Sequence, residues 1–148
     1  MRIREASDTD ADTLAMLLTQ LGYPALAADV RARLTRLAIT GRATALVAEH
    51  QGAVVGVITC HLFDSIHATA PVAWLTTLAV DDAHHGSGIG RALVGAAEAW
   101  AAANGAERVS VSSGLQREEA HAFYQRLGYA RSGVRFTRTL TPGSPATS

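Results

Sequence analysis

Three glycines at alternate positions, between a strand pattern and a helix pattern, constrain this chain more than any other feature. They are Gly86, Gly88 and Gly90, in the stretch LAVDDAHHGSGIGRALVG over residues 78–95. Glycine lets the backbone come close to a ligand, and the first turn of a helix has amides without intrahelical partners. The helix dipole suits these amides to an anion such as a pyrophosphate, and Arg91 adds a positive charge. The segment therefore predicts a phosphate-binding loop, and the alternative is a flexible connection that binds nothing.

The glycine spacing argues against two well-known nucleotide loops. A P-loop needs a Gly-Lys-Ser/Thr sequence, and the chain contains no lysine. A dinucleotide-binding loop has the spacing G-x-G-x-x-G and follows the first strand of a βαβ series. Here the spacing is G-x-G-x-G, and several predicted strands precede it. A dinucleotide-dependent enzyme is therefore disfavoured.

The hydrophobic periodicity predicts a mixed α/β fold. Strand patterns run over Arg2–Ala6, Ala45–Glu49, Val54–Phe63, Ala73–Val80, Val109–Ser113 and Val134–Leu140. Helical spacing of apolar residues runs over Leu14–Leu21, Leu26–Leu37, Ile89–Trp100 and Ala120–Leu127. Ser7 and Asp10 have capping-box spacing before the first helix. This order predicts one central sheet with flanking helices, rather than a doubly wound repeat or a helical bundle.

Length and composition limit the number of domains and the classes of partner. With 148 residues the chain is long enough for one domain, which we place at residues 1–140, and a solvated tail follows over 141–148. A formal net charge of +0 without a basic run argues against a nucleic-acid partner. The only cysteine is Cys60 and the six histidines lack ligand spacing, so we expect no disulfide and no metal. No apolar stretch reaches the length of about 18 residues that a bilayer needs, and the acidic N-terminal segment is unlike a signal peptide. We therefore expect a cytoplasmic protein without a membrane partner.

The glycine loop with its helix, and the segment REEAHAFYQRLGY over residues 117–129, resemble motifs A and B of the GNAT N-acetyltransferase superfamily. Motif A of that family reads Arg/Gln-x-x-Gly-x-Gly/Ala, and motif B ends in a tyrosine on a helix followed by a Leu-Gly-Phe/Tyr turn. The order of elements before and after the motifs also fits, so the resemblance covers nearly the whole chain. It implies the GNAT acyl-CoA N-acyltransferase fold, whose central, mostly antiparallel sheet is splayed at the cofactor site and flanked by helices.

The resemblance also implies an activity and a set of site residues. Acetyl-CoA would be the co-substrate, and its acetyl group would pass by direct attack to a primary amine of a small molecule, with a peptide or protein amine left open. Backbone amides from His85 to Arg91 would hold the pyrophosphate, the strand edge at 78–80 would pair with the pantetheine arm, and a homodimer is compatible with the family. The implied cofactor-binding residues are Leu78, Ala79, Val80, His85, Gly86, Ser87, Gly88, Ile89, Gly90, Arg91 and Arg117.

Tyr124 matches the family tyrosine that protonates the departing thiolate. A tyrosine with a pKa of about 10 still holds its proton at neutral pH, so it can act as the general acid. From the residues alone, a core or hydrogen-bonding position beside Phe123 is the favoured interpretation of Tyr124, and the family match reverses that preference. Two other reactive groups have structural interpretations, Glu49 as a solvated charge and Cys60 as a core thiol.

The chain departs from the family pattern where a general base is expected. Thr76 and Thr77 stand where many relatives carry a glutamate on the motif A strand, so the base is not assigned by position. The alternative bases are His61, Asp64, His67 and His121, each more simply interpreted as a loop or surface residue. His85 replaces the usual Arg or Gln, and Arg117 replaces a frequent Asn. The missing glutamate makes a non-catalytic acyl-CoA-binding sensor or interaction module the alternative function.

Overall fold

A computed structural model describes residues 1–112 and 118–140 of the chain. The chain divides into two units, residues 1–112 and 113–148, and each is described by itself. The elements of the first unit are β1 (Arg2–Glu5), α1 (Ala11–Leu21), α2 (Ala27–Thr40), β2 (Ala43–His50), β3 (Ala53–Phe63), β4 (Val72–Val80), α3 (Ile89–Ala103) and β5 (Arg108–Val111). The second unit contains α4 (Glu118–Arg126). Within the described ranges, no helix combines the length and the apolar character needed to cross a membrane.

The five strands form one mixed sheet in the order β1-β2-β3-β4-β5. The first four strands are antiparallel neighbours, whereas β5 lies parallel to β4. A parallel pair needs a long crossover between its strands, and α3 supplies that crossover. The mixed α/β class and the mostly antiparallel sheet predicted from the sequence are therefore confirmed.

The sheet is splayed beside the second half of β4. Pairing between β4 and β5 ends with Leu75 opposite Val111. On the other side of β4, Thr59 of β3 lies opposite Thr77 and Cys60 lies opposite Leu75, so Thr76 is an extra residue that forms a β-bulge. From this bulge to Val80, no strand within residues 1–112 pairs with the β5 side of β4. This opening is the splayed sheet that the family resemblance implies.

Helices cover both faces of the sheet. Val57 and Ala79 belong to the buried cluster that contains Leu14 of α1. Neighbouring residues of a strand point to opposite faces, and Gly56 accordingly faces α3. A Cβ atom on Gly56 would lie 2.9 Å from Leu93 Cδ1, so glycine at this position lets α3 lie close against the sheet. The loop between β4 and α3 therefore leads from the sheet to the helix layer opposite α1.

The predicted capping box before α1 is formed. The Ser7 amide donates to the Asp10 carboxylate at 2.8 Å, and Asp10 is only 6% exposed. Arg4 donates two hydrogen bonds of 2.8 and 2.9 Å to the same carboxylate and one of 2.7 Å to Glu49. The guanidinium group of Arg4 holds the pKa of Asp10 below its usual range. Glu49, expected as a solvated charge, is instead part of an ion pair that ties β1 and β2 to the start of α1.

The second unit confirms the predicted helix but not the predicted last strand. α4 is followed by Gly128, whose φ of +95° is a left-handed conformation that suits glycine, and the Tyr129 amide donates to the Tyr124 carbonyl at 3.0 Å. The predicted strand over Val134–Leu140 is wrong: residues 130–140 have no regular secondary structure, and Phe136 is 92% exposed. Alternation of apolar and polar residues permits a strand, but a strand also needs a neighbour for its backbone hydrogen bonds. This segment has no strand neighbour among the described residues.

Several predictions concern residues or arrangements that the described ranges do not test. Arg117, the implied cofactor contact in motif B, and the tail over 141–148 both lie outside the described residues. The assignment of one domain to residues 1–140 stays a prediction. The homodimer also stays a prediction.

Candidate active site

The glycine loop between β4 and α3 has the backbone conformation of an anion site. Gly86 and Gly88 have φ angles of +80° and +86°, in the left-handed region that side chains rarely adopt. A Cβ atom at either position would meet no described atom within 4 Å, so the space around the loop is open. Because α3 begins directly after Gly88, the amides of Ile89, Gly90 and Arg91 lie in the first helical turn, where the helix offers them no acceptor. These amides and the open space fit the pyrophosphate of acetyl-CoA.

Side chains hold the start of this loop in place. Gln20 of α1 accepts a hydrogen bond from the Asp82 amide at 3.0 Å and donates one of 3.4 Å to the Asp81 carboxylate. The Ser87 hydroxyl donates to the His84 carbonyl, which closes the loop on itself. The loop is therefore positioned by α1 as well as by the strand and helix that it joins. Gln20 carries no pattern in the sequence that could have identified it as a positioning residue.

The register of β4 decides which backbone groups face the opening in the sheet. The Asp81 amide donates to the Val55 carbonyl of β3 at 2.8 Å. In an antiparallel ladder this bond makes Val80 a non-hydrogen-bonded position, so its amide and carbonyl point away from β3. The same alternation points the amide and carbonyl of Leu78 toward the opening and those of Ala79 toward β3. Of the three strand residues predicted to meet the pantetheine arm, Leu78 and Val80 thus present their backbone groups at the open edge, and Ala79 does not.

His85, which stands where relatives usually carry Arg or Gln, contacts this strand edge. Its Nε2 atom lies 2.9 Å from the Val80 carbonyl oxygen, and it donates to that oxygen in the tautomer with the proton on Nε2. The Asp82 carboxylate lies 3.7 Å from the same nitrogen. The His85 side chain therefore already contacts the Val80 carbonyl. The other backbone groups that face the opening are the amide and carbonyl of Leu78 and the amide of Val80.

A cavity of about 550 Å³ lies between α1, α2 and the sheet. Its lining residues are Leu14, Leu18, Leu21, Tyr23, Val30, Arg33, Leu34, Arg36, Leu37, Ala45, Val57, Thr59, His61, Thr76 and Thr77. The helices thus contribute mainly apolar side chains, whereas the sheet contributes polar groups around the bulge, where the hydroxyl oxygens of Thr59 and Thr76 lie 2.6 Å apart. No aspartate or glutamate of the described residues lines this cavity.

His61 is the candidate base that the fold brings to this cavity. It lies on β3 opposite Trp74, and it shares the cavity with Thr76 and Thr77, the residues that stand in place of the family glutamate. The ring is half-buried, and burial lowers the pKa of His61 below the usual histidine value. Its ring nitrogens make no hydrogen bond with any described residue. At neutral pH the imidazole is therefore uncharged and able to accept a proton.

The other candidate bases of the first unit do not line the cavity. Asp64 is exposed and lies 3.2 Å from Arg42 in an ion pair. His67 is exposed and shares a hydrogen bond of 2.7 Å with the Ser65 hydroxyl. Cys60, interpreted as a core thiol, is fully buried, and burial raises the pKa of its thiol to about 11. This thiol is therefore almost entirely protonated at neutral pH and is a poor nucleophile.

Tyr124, the candidate acid, lies on α4 in the second unit, together with His121. Its ring makes edge-on contacts with Phe123 and Tyr129, at centroid distances of 5.2 and 5.7 Å. The residue is half-buried, and burial raises the pKa of Tyr124 above the usual tyrosine value. The phenol therefore keeps its proton at neutral pH, as a general acid requires.

Two arginines of α2 line the cavity and were not singled out from the sequence. Arg33 and Arg36 are exposed, and neither takes part in an ion pair or hydrogen bond with a described residue. They are three positions apart, so they lie on the same side of the helix. Their spacing beside the apolar positions Leu34 and Leu37 is visible in the sequence, but only the packing of α2 over the sheet shows that they line a cavity.

Comparison with known proteins agrees with this fold. The family model described as the Acetyltransferase (GNAT) family matches residues 12–129. An aminoalkylphosphonate N-acetyltransferase of Salmonella typhimurium is 32% identical over 143 residues, covering 93% of this chain and 90% of the relative. An aminoglycoside N(6')-acetyltransferase type 1 of Stenotrophomonas maltophilia is 32% identical over 148 residues, covering 96% and 95%. The solved structure of an aminoglycoside antibiotic 6'-N-acetyltransferase of Acinetobacter haemolyticus has a TM-score of 0.79 at 23% identity, covering 95% of this chain and 100% of that one. The chain therefore belongs to the GNAT acetyltransferase family.

Proposed function

We propose that this protein transfers the acetyl group of acetyl-CoA to the primary amine of a small molecule held in the cavity between α1, α2 and the sheet. One observation carries the proposal: the cavity and the open strand edge meet on consecutive residues of β4. Thr76 and Thr77 line the cavity, and Leu78 begins the edge where the sheet is splayed. A cofactor arm along that edge would bring its reactive end to the cavity.

The cofactor side of the proposal uses backbone groups. The amides of Ile89, Gly90 and Arg91 would bind the pyrophosphate, and the edge groups of Leu78 and Val80 would pair with the pantetheine arm. When bound, acetyl-CoA supplies the acetyl group as a thioester. An amide of the splayed edge would also donate to the thioester oxygen as negative charge develops on it.

His61 would accept the proton that the attacking amine loses. An alkyl amine with a pKa of about 10 is mostly protonated at neutral pH, so the site has to bind the neutral form or remove a proton. The nitrogen becomes far more acidic as it bonds to the acetyl carbon, and the uncharged imidazole of His61 can then take its proton. The hydroxyls of Thr59 and Thr76 would orient the amine by hydrogen bonds.

Tyr124 would deliver a proton to the departing sulfur. A thiol has a pKa of about 8.5, so the thiolate is a poor leaving group at neutral pH unless a proton reaches it. Burial raises the pKa of Tyr124, so the phenol stays protonated until the sulfur gains charge. Acid and base would then lie on different units of the chain, Tyr124 on α4 and His61 on β3.

A small acceptor is supported by the cavity and by the relatives. The cavity volume of about 550 Å³ falls in the range typical of small-molecule sites. The two relatives of known name act on aminoalkylphosphonates and on aminoglycosides, which are small molecules with amines. We therefore favour a small amine over a peptide or protein amine.

The test is an amine panel with acetyl-CoA, in which thiol release and the mass of the product are measured together. We expect release that requires an amine and that matches the acetylated product one to one. In Tyr124→Phe we expect turnover to fall about a hundredfold or more with unchanged acetyl-CoA affinity, because the acid is lost and the cofactor site is intact. Binding of acetyl-CoA without thiol release for any amine would instead support the non-catalytic sensor.

A further inference from the structure

We propose that the cavity selects amines whose far end carries a phosphonate or phosphate monoester group, and that Arg33 and Arg36 bind this group. The inference rests on the proposed function, because it names the class of acceptor for that same cavity. It is carried by the charges that line the cavity and by the absence of described carboxylates among them.

The two arginines are available to a ligand. Two other arginines of the first unit hold carboxylates, since Arg4 pairs with Asp10 and Arg42 pairs with Asp64. Arg33 and Arg36 have no such partner among the described residues, although both line the cavity. Each guanidinium group can therefore offer its planar pair of N–H donors to an anionic oxygen.

The arrangement of the cavity matches a molecule with an amine at one end and an anion at the other. The arginines come from α2, whereas His61, Thr76 and Thr77 come from the sheet on the opposite side. Apolar side chains of α1 and α2, such as Leu18 and Leu34, line the space with them and would contact an alkyl chain. Among the described residues that line the cavity, Tyr23 carries a phenol group and His61 carries an imidazole group.

The charge of the cavity favours a dianion over other groups. Two positive charges beside apolar walls attract an anion and repel a second amine, because the field is concentrated where water is partly excluded. A phosphonate or phosphate monoester carries nearly two negative charges and three acceptor oxygens near neutral pH, which suits two guanidinium groups. A carboxylate offers half of that charge and two oxygens. We therefore expect the order phosphonate, carboxylate, alcohol and second amine.

The experiment compares four acceptors that share one amine and one alkyl chain and end in these four groups. With saturating acetyl-CoA, we expect kcat/KM for the phosphonate to exceed that for the alcohol by about a hundredfold, about tenfold for each arginine, mostly through KM. The double variant Arg33→Gln/Arg36→Gln should lose this preference, so that its kcat/KM for the phosphonate no longer exceeds its kcat/KM for the alcohol. Arg31→Gln is the matched control, because Arg31 is exposed on the same helix and does not line the cavity.

A charge reversal and an inhibition measurement complete the test. Arg33→Glu/Arg36→Glu should prefer the diamine, since the sign of the cavity charge is inverted. In the unaltered protein, methylphosphonate should inhibit competitively against the acceptor and not against acetyl-CoA, which tests the site without any variant. Competition against acetyl-CoA alone would overturn the inference, because it places the anion at the glycine loop.

Different results would overturn acceptor selection by Arg33 and Arg36 and acetyl transfer itself. Equal kcat/KM for all four acceptors, or preference for the diamine by the unaltered protein, would overturn the phosphonate inference and leave the proposed acetyl transfer intact. Transfer to other amines of the panel but to none of the four acceptors would likewise overturn only the phosphonate inference. Binding of acetyl-CoA without transfer to any amine of the panel would overturn the proposed function, and the inference built on it would fall too.

Discussion

In the proposed function, the glycine loop and the α1–α2 cavity would each bind a charged partner, but they are built from different parts of the chain. The loop uses backbone amides from one short segment, Gly86 to Arg91, and its glycines provide the left-handed turns that aim them. The cavity uses side chains from separate elements, with Arg33 on α2 and His61 on β3. Function should therefore depend on backbone conformation in the loop and on side-chain identity in the cavity.

In the proposed function, this difference accounts for the chain's departures from the family pattern. His85 replaces an Arg or Gln of the loop, yet an anion at the loop would bind mainly to amides that any residue provides. Thr76 and Thr77 replace a glutamate beside the cavity, and no backbone group can substitute for a lost base. In the proposed function another side chain supplies that base, and His61 is the candidate base that lines the same cavity. The following experiments test whether the two regions act separately in this way.

The largest effects, each about a hundredfold, are expected for the cavity base and for the glycine loop. His61→Gln should lower kcat/KM for the amine by about a hundredfold, because a general base contributes that much, while acetyl-CoA affinity stays unchanged. Burial lowers the pKa of His61, so protonation of its imidazole should reduce kcat/KM only below about pH 6.5. This fall of kcat/KM in acid should vanish in the variant. Steady-state pH profiles measure both effects. His67→Gln is the control, and an equal loss there would remove the special role of His61.

A loop variant should have the opposite signature. Gly88→Arg should weaken acetyl-CoA binding by about a hundredfold, since its side chain strains a left-handed position and obstructs the approach to the amides. The acceptor KM should not change. Calorimetric titration gives the affinity, with Gly41→Arg as a control because Gly41 is also left-handed and lies outside the cavity and the loop. Unchanged affinity in Gly88→Arg would contradict the loop assignment.

A smaller effect is expected where α1 connects the two regions. Gln20→Ala removes the hydrogen bonds to Asp81 and Asp82, and we expect acetyl-CoA binding to weaken about tenfold or less, because one or two modest hydrogen bonds are lost. Gln20→Glu should weaken it further, since a second carboxylate would face Asp81. Titration with acetyl-CoA measures the change in its affinity, and steady-state kinetics measure the KM of the acceptor. A change in acceptor KM alone would place Gln20 with the cavity instead.

The smallest effect on activity is expected for the ion pair that supports both regions. Asp10→Asn should reduce the free energy of unfolding by about 2 kcal/mol at neutral pH, because charged hydrogen bonds to Arg4 are lost, with both affinities unchanged. Arg4 lowers the pKa of Asp10, so the stability it adds is present above the ordinary value of 3.8 and is lost as pH falls further. Denaturant titrations at several pH values test this. A variant that loses stability in acid as steeply as the unaltered protein would show that another carboxylate dominates.

Local elements could be predicted because their signals lie within a few residues. The capping box at Ser7 and Asp10, the glycine loop and the end of α4 near Gly128 all depend on neighbours along the chain, and the structure agrees with each. The strand predicted over Val134–Leu140 failed because alternation says nothing about the presence of a pairing partner. The bulge at Thr76 was also not predicted, since it is defined only by the register against β3.

By itself, the sequence determined the mixed α/β order of elements and the family, and it predicts a phosphate-binding role for the loop, because these inferences depend on periodicity and on glycine positions. Only the tertiary structure decided which backbone groups of β4 face the opening, and that Arg33, His61 and Thr76 line one cavity. The physical reason is that strand register and helix packing set these neighbours. Arg33 and His61 are 28 positions apart, and they line one cavity only because the sheet has paired and α2 has packed on it.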